Sequence, residues 1–331
     1  MKTEQTAAFI RGFELQTPVM QAPMGGIAGA RLVAAAANAG ALGNLPIWFL
    51  SAEAARKAIR DVRARTSRPF AVNLRADLDQ SDLIKAAAEE GVRLFHLFWG
   101  DARSSSPAVR KADGRLIATV ADRDQALAAL DAGAEALIAQ GVEAGGHVYG
   151  TTPIRQLVRE VAEAAGRTPV LAAGGVVSRG DVAEMFGLGA AGVVLGTCLV
   201  VTEESEAHPD YRRAILDARA GDTVLSECFD GFWPNAPHRT LINSTYRMWR
   251  DAGFPSRGAR PGEQDIVMRG PEGLAIPRYH ASTAGAEMTG DVEAAALYAG
   301  TGVGRIGSAR SVAAVLDDLG LAPPRALGAT R

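Results

Sequence analysis

Two glycines followed by a histidine are the first feature with chemical content. In the run Gly141-Val-Glu-Ala-Gly-Gly-His147 they put an imidazole on a close-packed or flexible loop, where it can serve as acid, base or hydrogen-bond donor. Two other short runs, Gly174-Gly175 and Gly196-Thr197, expose backbone N–H groups and add a hydroxyl donor, the ingredients of an anion cradle. Either run alone fits a tight corner equally well. Ala22-Pro23-Met24-Gly25-Gly26 and Asn73 are a third group, offering main-chain N–H groups and an amide side chain. Of the other histidines, His96 lies inside an apolar run and reads as a satisfied packing residue, and His208 precedes Pro209 at a helix start. His238 and His280 fall in an irregular stretch that leaves their roles undetermined. No spacing of His, Cys or carboxylates suits a metal, so none is expected.

These residues need elements to position them. From Pro18 to about Ala220, short apolar runs alternate with Ala-rich stretches of helical period, the pattern of βα units around a parallel sheet. Strands are predicted at 18–23, 41–44, 69–74, 93–98, 115–120, 136–140, 169–173 and 191–195. Helices are predicted at 31–39, 53–64, 82–90, 105–112, 122–132, 153–165, 179–187 and 210–219. Eight strands, each followed by a helix, describe a (β/α)8 TIM barrel, whose active site lies at the C-terminal ends of the strands. His147 follows strand six, and the two glycine runs follow strands seven and eight, where many barrels bind phosphate. A phosphorylated cofactor is therefore expected. The strand-one and strand-three ends suit the carbonyl edge and pyrimidine of a flavin. Gly187-Leu-Gly-Ala-Ala-Gly192 matches a dinucleotide fingerprint, but it follows a helix and enters a strand, the reverse of what that loop requires. It reads as a helix cap and turn.

After Gly221 the period is lost in a stretch rich in Trp, Pro, Gly, Asn and Arg. This reads as an irregular C-terminal extension acting as a lid or second small subdomain, or as an oligomer contact. Helices at 291–299 and 309–319 close the chain. The expected division is a barrel over 1–220, an excursion over 221–290, and C-terminal helices completing the barrel domain over 291–331.

The 331 residues are 47% hydrophobic, enough for a sizeable core, and their formal charge of -2 is spread without a basic block. Nucleic acid is not an expected partner. Two cysteines, Cys198 and Cys228, are too few for a disulfide framework, which fits a reducing cytoplasm. No apolar run reaches the roughly 20 residues of a bilayer span, and the start of the chain lacks a signal pattern. A soluble, unprocessed cytoplasmic protein is expected.

The motifs QAPMGG (Gln21 to Gly26), PFAVNL (Pro69 to Leu74), AQGVEAGGH (Ala139 to His147), PVLAAGGV (Pro169 to Val176), GLGAAGVVLGT (Gly187 to Thr197) and LYAGTGVG (Leu297 to Gly304) together resemble nitronate monooxygenase, formerly 2-nitropropane dioxygenase. The resemblance runs from about Thr17 to Ile306. The superfamily also contains the FMN-dependent enoyl-acyl-carrier-protein reductase, so the motifs do not fix a substrate. The resemblance implies that Ala22, Pro23 and Met24 contact the isoalloxazine of FMN, that Asn73 holds its pyrimidine edge, and that Gln140 and Gly145 line it. Gly174, Gly175, Gly196 and Thr197 would bind the phosphate, and His147 would be catalytic. The last motif would bring Tyr298, Gly300 and Thr301 to the cofactor, with Thr301 where the family usually has glutamine. Trp48 and Phe49, in the bulky loop after strand two, would reshape the substrate pocket. The implied reaction is oxidation of an alkyl nitronate, or a similar small anion, by dioxygen to a carbonyl compound and nitrite. The alternatives are an NAD(P)H-dependent flavin reductase acting on an enoyl thioester or quinone and, less well supported by the intact EAGGH, a flavin-binding module without activity. A homodimer is compatible with all three.

Overall fold

The structure is a computed structural model and describes residues 2–308 and 310–323. After α1 (Lys2–Gly12), the chain runs β1 (Val19–Gln21), α2 (Ala30–Asn38), β2 (Gly43–Pro46), α3 (Ala52–Arg63), β3 (Phe70–Arg75), α4 (Ser81–Glu89) and β4 (Leu94–Phe98). It continues through α5 (Ser106–Lys111), β5 (Arg115–Val120), α6 (Arg123–Asp131), β6 (Ala134–Gln140), the two-residue β7 (Gly146–His147) and α7 (Ile154–Ala165). The last barrel units are β8 (Val170–Ala173), α8 (Arg179–Leu188), β9 (Gly192–Leu195), α9 (Thr197–Val200) and α10 (Pro209–Asp217).

All strands except β7 join one parallel sheet in the order β1-β9-β8-β6-β5-β4-β3-β2. A parallel bridge between Met20 and Leu42 brings β1 to β2, and the sheet closes into the eight-stranded barrel that the alternation implied. The seam is narrow, and a side chain completes it. Gln21 Oε1 accepts from the Asn44 N–H at 2.9 Å, and Gln21 Nε2 donates to the Asn44 carbonyl at 3.2 Å, replacing a rung of backbone pairing.

Helices surround the barrel because their apolar stripes pack on the outward faces of the strands: Leu32, Val33, Ile59, Val62, Leu157 and Val161 are fully buried in that layer. The barrel interior has its own layer of Met20, Leu42, Ala71, Leu94, Ile117 and Leu171. Helix α1, which the sequence reading leaves unassigned, seals this interior from below. Its Phe9, and Phe13 in the turn just past its end, are buried in the same cluster. Arg115, the first residue of β5, stacks its guanidinium 4.3 Å from the Phe13 ring and donates to the Gly12 carbonyl.

Two expectations need correction. The 221–290 stretch is not irregular: β10 (Thr223–Ser226) and β11 (His238–Leu241) pair antiparallel and add to β7, α11 (Ser244–Asp251) follows, and β12 (Ile266–Arg269) pairs with β13 (Ala275–Pro277) and β14 (Thr289–Gly290). These strands have two to four residues, too short for a period to emerge. No α-helix forms at 291–299 either, only a 3-10 turn at Val292–Ala294. Its sequence favours helix, but the carbonyls a helix would use are taken. Asn243 Nδ2 donates to those of Glu293 and Ala295, Thr245 Oγ1 to that of Ala294, and the Leu241 N–H to that of Leu297. Tertiary bonds override propensity here. The final helix, α12, is Val312–Asp318. Among the described residues no helix is long and apolar enough to cross a membrane, and no cluster of His, Cys, Asp or Glu could hold a metal.

Candidate active site

A cavity of ≈ 640 Å³ opens at the C-terminal ends of the barrel strands. Ala22, Pro23, Met24, Asn73, Gln140, Gly145, His147, Gly174, Gly175, Gly196, Thr197, Tyr298 and Gly300 all line it. Thr301 does not: it is exposed, and its Oγ1 lies 3.2 Å from where a Cβ on Gly175 would stand. No Asp, Glu, Lys or Arg is among the described lining residues.

The glycine runs are shaped for an anion. Gly174 and Gly175 have φ of +126° and +70°, left-handed values that a side chain would strain, and a Cβ on Gly174 would stand 3.0 Å from the Ala144 amide nitrogen. Among the described residues, the N–H groups of Gly175 and Gly196 reach no protein acceptor, which leaves them available to a ligand. The 300–305 segment clasps this cradle. The Gly300 N–H donates to Thr197 Oγ1 at 3.0 Å, the Thr301 N–H to the Glu143 carbonyl at 3.0 Å, and Arg305 to the Gly175 carbonyl at 3.0 Å while pairing with Asp181 at 2.9 Å. Free backbone donors on a loop that Arg305 braces from behind fit a cofactor phosphate.

On the interior floor stands a polar belt. His96 Nδ1 accepts from the side-chain amides of Asn44 at 2.9 Å and Asn73 at 3.2 Å, so its Nε2 carries the proton and donates to Thr119 Oγ1 at 2.7 Å. Burial pushes the His96 pKa down to about 3, so the ring is neutral. Its protein partners orient the Asn73 amide at the cavity wall.

His147 is held from three sides. Gln140 brackets its loop, donating from Nε2 to the His147 carbonyl at 3.1 Å and accepting the Tyr149 N–H at 3.3 Å. Arg239 donates to the Val142 carbonyl at 2.8 Å. Strand β11 pairs with β7, setting His238 opposite His147. The excursion thus builds the His147 loop as well as covering it. His238 is fully buried, with Nδ1 donating to the Ala236 carbonyl and Nε2 accepting the Phe229 N–H. Burial lowers its pKa to about 4. By contrast, His147 Nε2 is buried with no partner. Burial first, then His238 and the Arg75 guanidinium, hold its pKa well below 6.5. It is a neutral imidazole whose Nε2 makes no protein hydrogen bond.

Over that imidazole lies Trp233, its ring centroid 4.0 Å away and 22° from parallel. The Arg75 guanidinium stands 3.6 Å from the same indole. Two groups that close must occupy opposite faces, so the three form a His147–Trp233–Arg75 stack. Arg75 is anchored by Asp77 at 2.6 Å. A second stack stands outside it: Phe232 lies 6.0 Å from both Trp48 and His280, at 30° and 25°. Backbone strain gathers here too, since Trp99, Phe232 and Tyr279 have φ of +60°, +79° and +69°, values costly for bulky residues.

Sequence reasoning missed Trp233, Trp99, Phe98 and Arg75. Arg75, Phe98 and Trp99 sit at or just past the ends of β3 and β4, a position that would have flagged them. Trp233 had no comparable signal.

Comparison with known proteins identifies the family. The family model described as nitronate monooxygenase matches residues 7–94 and 95–321. A nitronate monooxygenase of Pseudomonas aeruginosa is 33% identical over 299 residues, 76% of this chain and 83% of that protein. The (3aS,4S,5R,7aS)-5-hydroxy-7a-methyl-1-oxo-octahydro-1H-indene-4-carboxyl-CoA dehydrogenase of Mycobacterium tuberculosis is 36% identical over 230 residues, 69% of this chain, and the match spans only 63% of that enzyme. Among solved structures, FabK from Thermotoga maritima superposes with a TM-score of 0.79 at 28% identity, covering 94% of each chain. With the family model matched along nearly the whole barrel and its extension, the chain belongs to the nitronate monooxygenase family.

Proposed function

We propose that this flavin-dependent oxidoreductase uses FMN to oxidise nitroalkanes, through their nitronates, with dioxygen, yielding a carbonyl compound and nitrite. One observation carries the reading: a neutral imidazole whose Nε2 meets no protein partner, in a cavity without a formally charged side chain. Such a group suits proton removal from a neutral carbon acid better than electrostatic capture of an anion. His147 Nε2 takes the α-proton, with the Trp233 indole holding the ring from its face. Bound flavin supplies the electron acceptor and, when reduced, reactivity toward dioxygen. The phosphate falls to the Gly174–Gly175 and Gly196–Thr197 loops, the pyrimidine edge to Asn73, and the ring face to Ala22–Met24 and Gly145. A cradle built for one phosphate, in a chain without an adenine-binding Rossmann loop, favours FMN over FAD.

A second reading keeps the reductase alternative of the sequence: reduction of the flavin by NAD(P)H and transfer of electrons to an enoyl thioester or quinone, a thioester being in keeping with the likeness to a carboxyl-CoA dehydrogenase. The same barrel mouth accommodates either. Anaerobic mixing of the loaded protein with a nitroalkane, its nitronate and NADH in parallel separates them. Bleaching of the flavin by the nitro compounds without NADH is the expected result. Bleaching by NADH alone overturns the first reading in favour of the second. Chromatography of the released cofactor should show FMN.

A further inference from the structure

The cavity continues outward past His147, and its outer wall is built from Trp48, Phe49, Phe232, Leu274, Ile276 and Met288. Phe49, Phe232 and Leu274 are 42%, 63% and 57% exposed, an apolar rim on one doorway of a kind that surfaces rarely leave uncovered. Phe232 is the telling case. Its φ of +79° is an outlier for an aromatic residue, yet the strained backbone presents the ring to water. Such strain persists where the surroundings hold it and gathers at ligand clamps. The Gly231 N–H donates to the Tyr279 carbonyl at 3.0 Å, and the Ala281 N–H returns to the Gly231 carbonyl at 2.9 Å, fixing the loop. Two of the polar atoms nearby are engaged: His280 Nδ1 accepts the Ser282 N–H at 3.1 Å, and Thr283 Oγ1 donates to the Gly25 carbonyl at 2.6 Å.

We propose that the substrate is a carbon acid carrying a bulky, uncharged cyclic skeleton, which lies against Trp48, Phe49, Phe232 and Leu274 while the acidic carbon reaches His147. The assignment rests on reading His147 as the reactive centre. Flat rings on the wall favour a ring substituent, which stacks at little conformational cost. The lack of Lys and Arg in the lining disfavours a charged one. A two- or three-carbon nitroalkane leaves this wall bare.

The test compares kcat/KM for nitrocyclohexane and 2-nitropropane, two secondary nitroalkanes differing mainly in apolar size. A buried methylene is worth roughly four-fold, so a preference of at least about ten-fold for the ring is expected. Phe232→Gly, which relieves the backbone while removing the ring, combined with Leu274→Ser, should bring the ratio down toward one. A ratio at or below one in the parent, or one the double variant leaves intact, overturns the proposal. The affinities of the flavin-loaded parent and double variant for cyclohexanecarboxamide and acetamide, read from the flavin absorbance, give a second, turnover-independent measure. If neither nitro compound is oxidised but the parent prefers the cyclic amide and the variant does not, the nitroalkane reading fails and the apolar wall stands. Equal affinities for the two amides in the parent overturn the wall itself.

Discussion

His147 combines a loop fixed on both flanks with an imidazole that is stacked on Trp233 but whose Nε2 no protein group hydrogen-bonds. A base must be neutral to act, and because the folded pKa lies well below 6.5, the neutral form persists into moderately acidic solution. For a neutral nitroalkane, the acid limb of kcat/KM should therefore fall below pH 6.5; a limb at or above 6.5 contradicts the buried imidazole. Replacing it, His147→Ala, should lower turnover of the neutral substrate by roughly two to four powers of ten and turnover of the pre-formed nitronate by less, with flavin content measured in the same samples. Equal losses would assign His147 to binding the nitro group. At this scale the sequence was informative wherever a residue breaks the apolar pattern near or beyond the C-terminal end of a strand, as Asn73 within β3 and His147 and the glycine runs past their strands do. Trp233 is invisible there because a tryptophan between Phe232 and Pro234 reads as loop packing, and only the folded excursion lays it on the imidazole.

Among the elements, the barrel helices were legible because they are long enough to display their period, and the barrel strands, several of only three or four residues, because they are short apolar runs set regularly between those helices. The seam was not: nothing in the sequence marks Gln21 as the side chain that stands in for a strand rung. Gln21→Leu keeps the volume roughly constant and leaves the Asn44 N–H and carbonyl unpaired in a buried place. Each such group costs about 1–3 kcal/mol, so a loss of about 2–4 kcal/mol is expected in urea unfolding, and a change under 0.5 kcal/mol would mean the seam closes without it. The 291–299 stretch teaches the complementary lesson. Its composition favours helix, yet the side chains of Asn243 and Thr245 claim its carbonyls, a contact between residues some fifty positions apart that no local window contains.

The molecule as a whole buries several histidines in neutral form, and this governs its response to acid. The unfolded chain protonates His96 and His238 near pH 6.5, whereas the fold resists until about 3 and 4. Stability contributed above pH 6.5 is therefore lost as pH falls from 6.5 toward 4, by up to about 1.4 kcal/mol per pH unit for each ring. Urea midpoints measured from pH 7 to 4 should drop accordingly, and His96→Gln should flatten part of that slope even if it lowers the starting stability. The 221–290 excursion, whose strands are too short to read in advance, bears the partner of the His147 loop, so its removal should cost the site its order as well as its cover. Finally, α1 and the turn after it cork the barrel beneath the site with Phe9 and Phe13. If the proposed reaction holds, the substrate and the bulkier product must share the upper mouth of the cavity. A product slow to leave will keep the next molecule waiting, and inhibition by the carbonyl product should rise with the size of its apolar part.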